Sequence, residues 1–179
     1  TTVSQGTLRT GYNDVLGTSA GGVLVNGGVL DVRHNLADAV TLDGGTLYGY
    51  SGTLSGTITL SRNSTIEAGA TTTISGEITD GANSYSLTKT GTGMLDLTSS
   101  SGNSYDGGTN INQGYIRARV SNSALGTGAV VVASGAGLDI YDRTISNDLT
   151  ISGAYPGTAG ALFNTSTGTY SGSVTMAAA

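Results

Sequence analysis

Few side chains in this 179-residue chain are suited to catalysis. It has one histidine, His34, and no cysteine, so a nucleophile paired with histidine could be assembled at one place at most. His34 lies in the polar stretch Asp31-Val32-Arg33-His34-Asn35. We therefore expect His34 to be an exposed loop residue and not a general base.

A second possible centre lies at Asp139, Asp142 and Arg143, within the stretch Leu138-Asp139-Ile140-Tyr141-Asp142-Arg143. Two carboxylates and an arginine that converge in a groove are able to cleave a polysaccharide. However, an aspartate that alternates with apolar residues is also what the outward face of a half-buried strand looks like. The sequence therefore predicts no catalytic residue, and a polysaccharide-processing enzyme is the alternative hypothesis.

Sites for metals, phosphates and nucleic acids are not predicted. Gly27-Gly28 and Gly44-Gly45 are not followed by the spaced aspartates of calcium-bound β-rolls. No helix follows Gly91 and Gly93, or Gly126 and Gly128, to hold a phosphate. The 12 acidic residues outnumber the 7 basic ones, which disfavours a nucleic-acid partner. We predict no cofactor and no metal.

Tyrosine is the enriched aromatic residue, with nine copies against one phenylalanine and no tryptophan. Most of the tyrosines lie beside glycine, serine or aspartate, where we expect half-exposed rings. Such rings could contact a sugar or another protein. Alternatively, they cover a strand or the end of a coil. The nine are Tyr12, Tyr48, Tyr50, Tyr85, Tyr105, Tyr115, Tyr141, Tyr155 and Tyr170.

The elements that must position these side chains are short strands. Apolar residues alternate with polar ones over three to five residues, and glycine, asparagine, aspartate or serine separates the groups. No window has the spacing of an amphipathic helix. The regular groups and the small net charge of −5 argue against disorder. Examples are Val23-Leu24-Val25, Val40-Thr41-Leu42, Ile58-Thr59-Leu60 and Val130-Val131-Val132.

An internal repeat indicates that the strands stack. Gly6-Thr7-Leu8-Arg9 returns as Gly114-Tyr115-Ile116-Arg117, and Leu30-Asp31-Val32 returns as Leu138-Asp139-Ile140. We predict that residues 1–179 are one segment of a longer solenoid, in which 1–60 resembles 109–176. Three strands at the observed spacing give a coil of about twenty residues, and a rod on the order of 40 Å long. The predicted fold is all-β, a parallel β-helix. No run of eighteen apolar residues occurs, so we expect no membrane span.

Three sub-motifs occur in a fixed order in the second half of the chain. They are Lys89-x-Gly91-x-Gly93-x-Leu95-x-Leu97, then Asn103-x-Tyr105-x-Gly107-Gly108-Thr109-x-Ile111-x-x-Gly114, then Ala124-Leu125-Gly126-x-Gly128. This order resembles the passenger-associated transport repeat of bacterial type V autotransporters, particularly the AIDA-like adhesins. The resemblance is fullest over 87–140 and partial over 1–60.

The resemblance implies a right-handed parallel β-helix of the single-stranded, pectin-lyase-like type. It also implies display outside a Gram-negative cell, tethered to the outer membrane through a C-terminal barrel absent from this chain. Members of the family are mostly adhesins or self-associating proteins. We therefore expect a non-enzymatic cell-surface rod for adhesion, cell–cell association or biofilm formation. Its expected partners are like rods, or a host-cell protein or glycan receptor.

Two other functions stay open on the sequence alone. Some β-helical proteins degrade pectin with carboxylates and arginine on a strand face, and Asp139, Asp142 and Arg143 would be the residues for such an activity. A purely structural stalk and folding scaffold, without binding activity, is the third possibility.

Overall fold

The computed structural model describes residues 1–16, 21–158 and 160–177, and in these ranges the chain is built from short parallel strands. Twenty-two strands are present in the described ranges, and every pairing between them is parallel. No helix in the described residues is long and apolar enough to cross a membrane. The all-β prediction is confirmed.

Sheet B runs the length of the described chain, sheet A covers its first half, sheet C covers its middle and later part, and a short fourth sheet lies near the C-terminal end. Sheet A is built from β1 (Thr2–Val3), β3 (Val23–Val25), β5 (Val40–Leu42), β8 (Ile58–Leu60) and β11 (Ile78–Thr79). Sheet B is built from β2 (Thr7–Arg9), β4 (Val29–Val32), β6 (Thr46–Gly49), β9 (Ser64–Ala68), β12 (Leu87–Thr90), β14 (Thr109–Ile111), β16 (Val130–Val132), β19 (Leu149–Ile151) and β22 (Val174–Met176). Sheet C is built from β7 (Thr53–Leu54), β10 (Thr72–Ile74), β13 (Met94–Leu97), β15 (Tyr115–Arg119), β17 (Gly137–Tyr141) and β20 (Leu162–Phe163). Sheet D pairs β18 (Thr144–Ile145) with β21 (Thr169–Tyr170).

Successive coils add parallel strands to the same sheets, and sheet B takes one strand from every coil, which makes the fold a parallel β-solenoid. Along sheet B, one coil runs from a residue to its partner in the next strand. This distance is shortest from Val29 to Thr46, 17 residues, and longest from Leu149 to Val174, 25 residues. Nine stacked strands at about 4.8 Å each span on the order of 40 Å. The predicted parallel β-helix is confirmed.

The core is a column of aliphatic side chains that point into the solenoid. In β5 and β8, Val40 pairs with Ile58 and Leu42 pairs with Leu60, and all four side chains are buried. The residue between them in each strand is a threonine that is half-buried on the other face. Strands this short are stable because each inward side chain contacts its equivalents in the coils above and below.

Asparagine side chains replace strand hydrogen bonds where sheet A ends. The backbone N–H of Ile78 in β11 donates to Asn103 Oδ1 at 2.8 Å, and Asn103 Nδ2 donates to the carbonyl of Ala124 at 2.5 Å. In the following coils, the N–H of Thr144 donates to Asn122 Oδ1 at 3.1 Å. An amide can both accept and donate a hydrogen bond. These side chains therefore connect adjacent coils between the end of sheet A and the start of sheet D.

The two segments that resemble each other in sequence lie on different sheets. Thr7–Arg9 is strand β2 of sheet B, whereas its counterpart Tyr115–Arg119 is β15 of sheet C. Val29–Val32 and Gly137–Tyr141 differ in the same way. The later segment is therefore displaced by one face around the solenoid.

Candidate functional site

The outer side of sheet C carries the highest density of chemically active side chains. Asp96, Arg117 and Asp139 follow one another in register on β13, β15 and β17, so negative, positive and negative charges alternate across three coils. Each of these residues stands between two inward-facing aliphatic residues of its own strand. Strand alternation therefore places this charge column on the opposite side of the sheet from the core.

Both aspartates of this column are held by arginines from the coil between them. Arg117 Nε lies 2.8 Å from Asp139 Oδ2. Arg119 binds Asp96 with two hydrogen bonds, 2.9 Å from Nε to Oδ1 and 2.7 Å from Nη2 to Oδ2. Burial lowers the pKa of Arg117, but the hydrogen bond and charge of Asp139 outweigh that effect and raise its pKa. The charges therefore remain paired and link adjacent coils.

A similar cluster links the first coils of sheet B. The Asp31 carboxylate accepts hydrogen bonds from Arg9 Nε at 2.7 Å and from Arg33 Nε at 2.7 Å. Burial raises the pKa of Asp31, but the hydrogen bonds and charges of Arg33 and Arg9 lower it by more, so the net pKa is below its usual value. Arg33 also lies over the rings of Tyr48 and Tyr50, at 5.3 and 4.5 Å from their centroids.

Aromatic rings cover sheet C next to the charge column. The rings of Tyr115, Tyr155 and Phe163 lie within 5.4 to 5.9 Å of one another, centroid to centroid. They pack over Gly137, where a Cβ atom would come within 2.8 Å of Phe163 Cε1, so this strand position requires glycine. Arg117 lies 5.2 Å from the centroid of the Tyr141 ring. These half-buried rings and the ion-paired arginines form a mixed apolar and polar surface, here called the sheet C patch.

The three residues considered for polysaccharide cleavage do not form a shared reactive group. Asp139 is fully buried, and its carboxylate also accepts hydrogen bonds from the Thr165 N–H at 3.0 Å and Oγ1 at 2.8 Å. Asp142 is exposed and accepts hydrogen bonds from Ser166 and Thr167, which lower its pKa. The Asp139 carboxylate therefore has partners at both of its oxygens, whereas the Asp142 carboxylate accepts its hydrogen bonds at Oδ1.

Arg143 follows Asp142 directly in the chain, and it lies in the wall of a hollow of about 620 Å³. Serine, threonine and asparagine side chains make up most of this wall, which belongs to the corner between sheets C and D. Arg143 forms no ion pair with any described residue, and its Nε is buried without a hydrogen-bond partner. The hollow is called the Arg143 hollow below.

His34 lies where the sequence predicts, in an exposed bend between β4 and Leu36. Its ring stacks on the exposed ring of Tyr12, with the centroids 6.3 Å apart. Within the described residues, no three histidine, aspartate or glutamate side chains come together as a metal-binding group.

The prediction of half-exposed rings holds for most of the nine tyrosines, whereas Tyr12 is 78% exposed and the prediction is wrong for Tyr105. The Tyr105 side chain is fully buried. Its hydroxyl is 2.7 Å from Thr109 Oγ1, and Thr109 Oγ1 in turn donates to the carbonyl of Leu125 at 3.1 Å. Tyr105 is buried because Thr109, four residues further along the chain, supplies a partner for the hydroxyl inside the core.

Lys89 is the second polar residue whose burial sequence reasoning missed. Its side chain is fully buried, and Nζ donates hydrogen bonds to the carbonyls of Thr90, Gly91 and Gln113 at 2.7, 2.7 and 3.0 Å. Burial lowers the pKa of Lys89 to about 8, and the charge of Glu67 opposes this shift. In strand β12 (Leu87–Thr90), Leu87 and Lys89 alternate with half-buried threonines and both point inward. This alternation is the sequence signal that could have identified Lys89 as a buried residue.

Comparison with known proteins places these buried motif residues in a family. The family model described as Passenger-associated-transport-repeat matches residues 87–118, which include Lys89, Asn103, Tyr105 and Thr109. The chain is also 34% identical over 148 residues to the "Adhesin BmaC autotransporter" of Brucella suis biovar 1 (strain 1330). That alignment includes 73% of this chain and 4% of the relative, so the chain spans a small part of the curated protein it matches.

No solved structure matches the chain. The repeat model, the curated relative and the parallel solenoid agree with one another. Over residues 87–118 the chain carries the passenger-associated-transport-repeat, and over 148 residues it is similar to an autotransporter adhesin.

Proposed function

We propose that this chain is part of a non-enzymatic adhesive rod on the surface of a Gram-negative bacterium. The observation that carries the proposal is the similarity to an autotransporter whose name includes adhesin, over most of the length of this chain. The proposed activity is attachment to another cell or association with like rods on neighbouring cells.

The ladder of nine parallel strands in sheet B supports the mechanical part of this proposal. Every coil is hydrogen-bonded to the one before it and the one after it. Ion pairs such as Arg117–Asp139 and Arg119–Asp96 add side-chain links between coils. A solenoid linked in this way is stiff along its axis, so it can hold a binding surface away from the membrane.

The sheet C patch supports the adhesive part. Tyrosine and arginine are the residue types that most often contribute binding energy at protein interfaces. In this patch, Tyr115, Tyr141 and Arg117 are half-buried and held in place by their neighbours. Fixed rings lose little conformational entropy when a partner binds, which favours affinity.

The test is to display the complete surface protein on bacterial cells, with and without residues 1–179. Clumping of the cells and their attachment to host cells are measured at equal amounts of displayed protein, as counted with a surface antibody. Loss of either property on deletion supports the adhesin. If both are unchanged, the segment is a stalk or folding scaffold and the proposal is wrong.

A matched arm addresses the enzymatic alternative. The same cells are incubated with polysaccharides, and the released reducing ends are measured for the parent protein and for Asp142→Asn. Sugar release that depends on Asp142 would contradict the non-enzymatic proposal. We expect none, because the Asp142 carboxylate already accepts three hydrogen bonds from Ser166 and Thr167.

A further inference from the structure

Arg143 differs from every other arginine in the chain. The other five, Arg9, Arg33, Arg62, Arg117 and Arg119, each form an ion pair with an aspartate, at 2.6 to 2.8 Å. Among the described residues, Arg143 has no such partner, although its Nε is shielded from water. A guanidinium N–H that is buried without a partner costs free energy. Because Nε itself is closed to solvent, an acceptor in the Arg143 hollow would be bound by the other N–H groups of the guanidinium.

No described carboxylate forms an ion pair with Arg143, although the charge of the adjacent Asp142 interacts with it. No carboxylate is among the residues that line the Arg143 hollow. The adjacent Asp142 carboxylate is held by Ser166 Oγ at 2.5 Å and by Thr167 Oγ1 at 2.8 Å. The hollow therefore carries one positive charge, on a protein whose net charge is −5.

The remaining walls of the hollow offer hydroxyl and amide groups. The polar side chains that line it include Ser121, Ser123, Thr127, Ser146 and Asn147. Its one aliphatic side chain is that of Val120. Asn147 Nδ2 donates to the carbonyls of Gly126 and Gly128, at 3.1 and 2.7 Å. This fixes the orientation of the Asn147 amide and leaves its Oδ1 as an acceptor.

The backbone at the rim is strained. Val120 has a φ of +78°, in the left-handed region that β-branched residues rarely adopt. It lies directly after β15 and its side chain is 40% exposed, so apolar burial does not compensate for the strain. Strained backbone of this kind is concentrated at binding sites, where the surrounding structure holds it in place.

From this hollow we infer a binding site for an acidic saccharide, with the sugar carboxylate on the Arg143 guanidinium and the sugar hydroxyls on the serine and asparagine groups. A single positive charge matches a singly charged carboxylate better than a doubly charged phosphate. A volume of about 620 Å³ is in the range of small-molecule sites and exceeds what a lone inorganic anion fills. The predominance of hydroxyl and amide side chains in the wall, with Val120 as its one aliphatic side chain, favours a polyhydroxylated ligand over an acidic peptide with apolar side chains.

The inference deepens the proposed adhesive function and rests on it. It assigns the receptor class, an acidic glycan, and it places the contact at the corner between sheets C and D. Two sources supply such glycans, the surface of animal cells and the matrix of bacterial communities. The shared chemistry is a carboxylate on a hydroxylated ring.

The experiment uses the complete surface protein displayed on cells, with fluorescently labelled probes. Sialyllactose represents an animal-cell glycan, a uronate oligomer from alginate represents a bacterial matrix, lactose is the neutral control, and an oligoglutamate peptide is the non-sugar anion. We expect binding of at least one acidic sugar, little binding of lactose or oligoglutamate, and weakening by added salt. Comparison of the two acidic sugars identifies the source.

Two variants test the site, and one serves as a matched control. Arg143→Gln should weaken acidic-sugar binding about tenfold or more, because a charge-assisted hydrogen-bonded pair is lost. Ser146→Tyr should also abolish binding, since it fills the hollow from an exposed position. Arg62→Gln removes an exposed arginine near β9, three strands from β16 in sheet B, and should change nothing.

The inference is wrong if no acidic sugar binds, if lactose or oligoglutamate binds equally well, or if Arg143→Gln binds like the parent. Clumping and host attachment are measured on the same cells. If both persist in a protein that binds no acidic sugar, the site is wrong and the adhesin stands. If Arg143-dependent sugar binding occurs in cells whose clumping and attachment do not depend on residues 1–179, the site stands and the adhesin is wrong.

Discussion

Arg117 and Asp139 lie in adjacent coils and pair directly across the ladder, with the Arg117 Nε 2.8 Å from a carboxylate oxygen that is fully buried. Asp139→Ala should therefore destabilise the fold by about 3 kcal/mol, because it leaves Arg117 and the Thr165 N–H without their acceptor. The measurement is the free energy of unfolding in urea, for the parent and for Asp139→Ala under one set of conditions.

The exposed pair Arg62–Asp43 is the matched control for this prediction. Its side chains are 70% and 33% exposed, and their distance of 2.6 Å is as short as that of the buried pair. Asp43→Ala should cost less than about 1 kcal/mol, since water replaces the lost contact. Equal effects of the two substitutions would show that burial does not determine the contribution of these pairs.

Tyr105 should tolerate loss of its hydroxyl but not of its ring. Tyr105→Phe removes one hydrogen bond to Thr109, which keeps its own bond to Leu125, so the cost should be about 1 kcal/mol. Tyr105→Ala empties a fully buried position and should cost about 4 kcal/mol. Thermal unfolding of both variants, followed by circular dichroism, tests the order; a larger loss in the phenylalanine variant would contradict it.

Asn103 should be harder to replace than its exposed neighbour Ser104. Its amide accepts from Ile78 and donates to Ala124, so Asn103→Ala leaves one donor and one acceptor unpaired in a buried corner. We expect a loss of about 3 kcal/mol. Asn103→Asp keeps the acceptor, and its protonated form also has an O–H that can donate, so at low pH, where the acid is neutral, it should fall between alanine and the parent. The free energies of unfolding in urea of the parent, Asn103→Ala and Asn103→Asp test this order.

The solenoid could be predicted because its local rule is simple. A group such as Val40-Thr41-Leu42 places two aliphatic side chains inward and one threonine outward, and the structure follows that alternation. The choice of sheet could not be predicted. Leu30-Asp31-Val32 and Leu138-Asp139-Ile140 look alike, yet they lie in sheets B and C. A strand on any face of the solenoid needs the same alternation of inward aliphatic and outward polar side chains, so this pattern does not identify the sheet.

The candidate sites depended on contacts that are distant in sequence. Asp139 lies on the outward face that the alternation predicts, but it is buried there because Arg117, one coil earlier, and Thr165, one coil later, bind its carboxylate. Nothing in the local sequence separates Arg143 from the five arginines that have aspartate partners. Its distinction arises only from which carboxylates the stacking brings near, and that depends on the lengths of the loops.

Lys89 should make stability depend on pH in the alkaline range. Burial lowers its pKa in the folded chain from 10.5 to about 8. Between these two values the unfolded chain binds more protons than the folded chain, so stability rises with pH. Below pH 8 Lys89 is charged in the folded core, so the full free-energy cost of burying its charge applies. The total gain is on the order of 3 kcal/mol.

The test compares the parent with Lys89→Met from pH 7 to pH 10.5. The tyrosines titrate in both proteins, so the difference between the two free energies of unfolding isolates Lys89. We expect this difference to move in favour of the parent as the pH rises through 8. A constant difference over the whole range would show that the three carbonyls of Thr90, Gly91 and Gln113 keep the ammonium charged throughout.

Val120 gives the one prediction of a stabilising substitution. Its φ of +78° is costly for a β-branched residue, whereas asparagine and glycine adopt such angles readily. The equivalent position in the next coil is Asp142, which has a φ of +58°. Val120→Asn should therefore stabilise the chain by about 1 kcal/mol, and raise its unfolding temperature by about 2 to 4 °C.

Val131 provides the matched control for Val120, because the two side chains are 40% and 41% exposed. Val131 lies within strand β16, where valine suits the backbone, so Val131→Asn should destabilise slightly. Opposite signs for the two substitutions, measured by thermal unfolding, would show that backbone strain at Val120 outweighs its side-chain contacts. If both substitutions lower the unfolding temperature, Val120 is not strained enough to matter, and its part in the Arg143 hollow must come from its side chain.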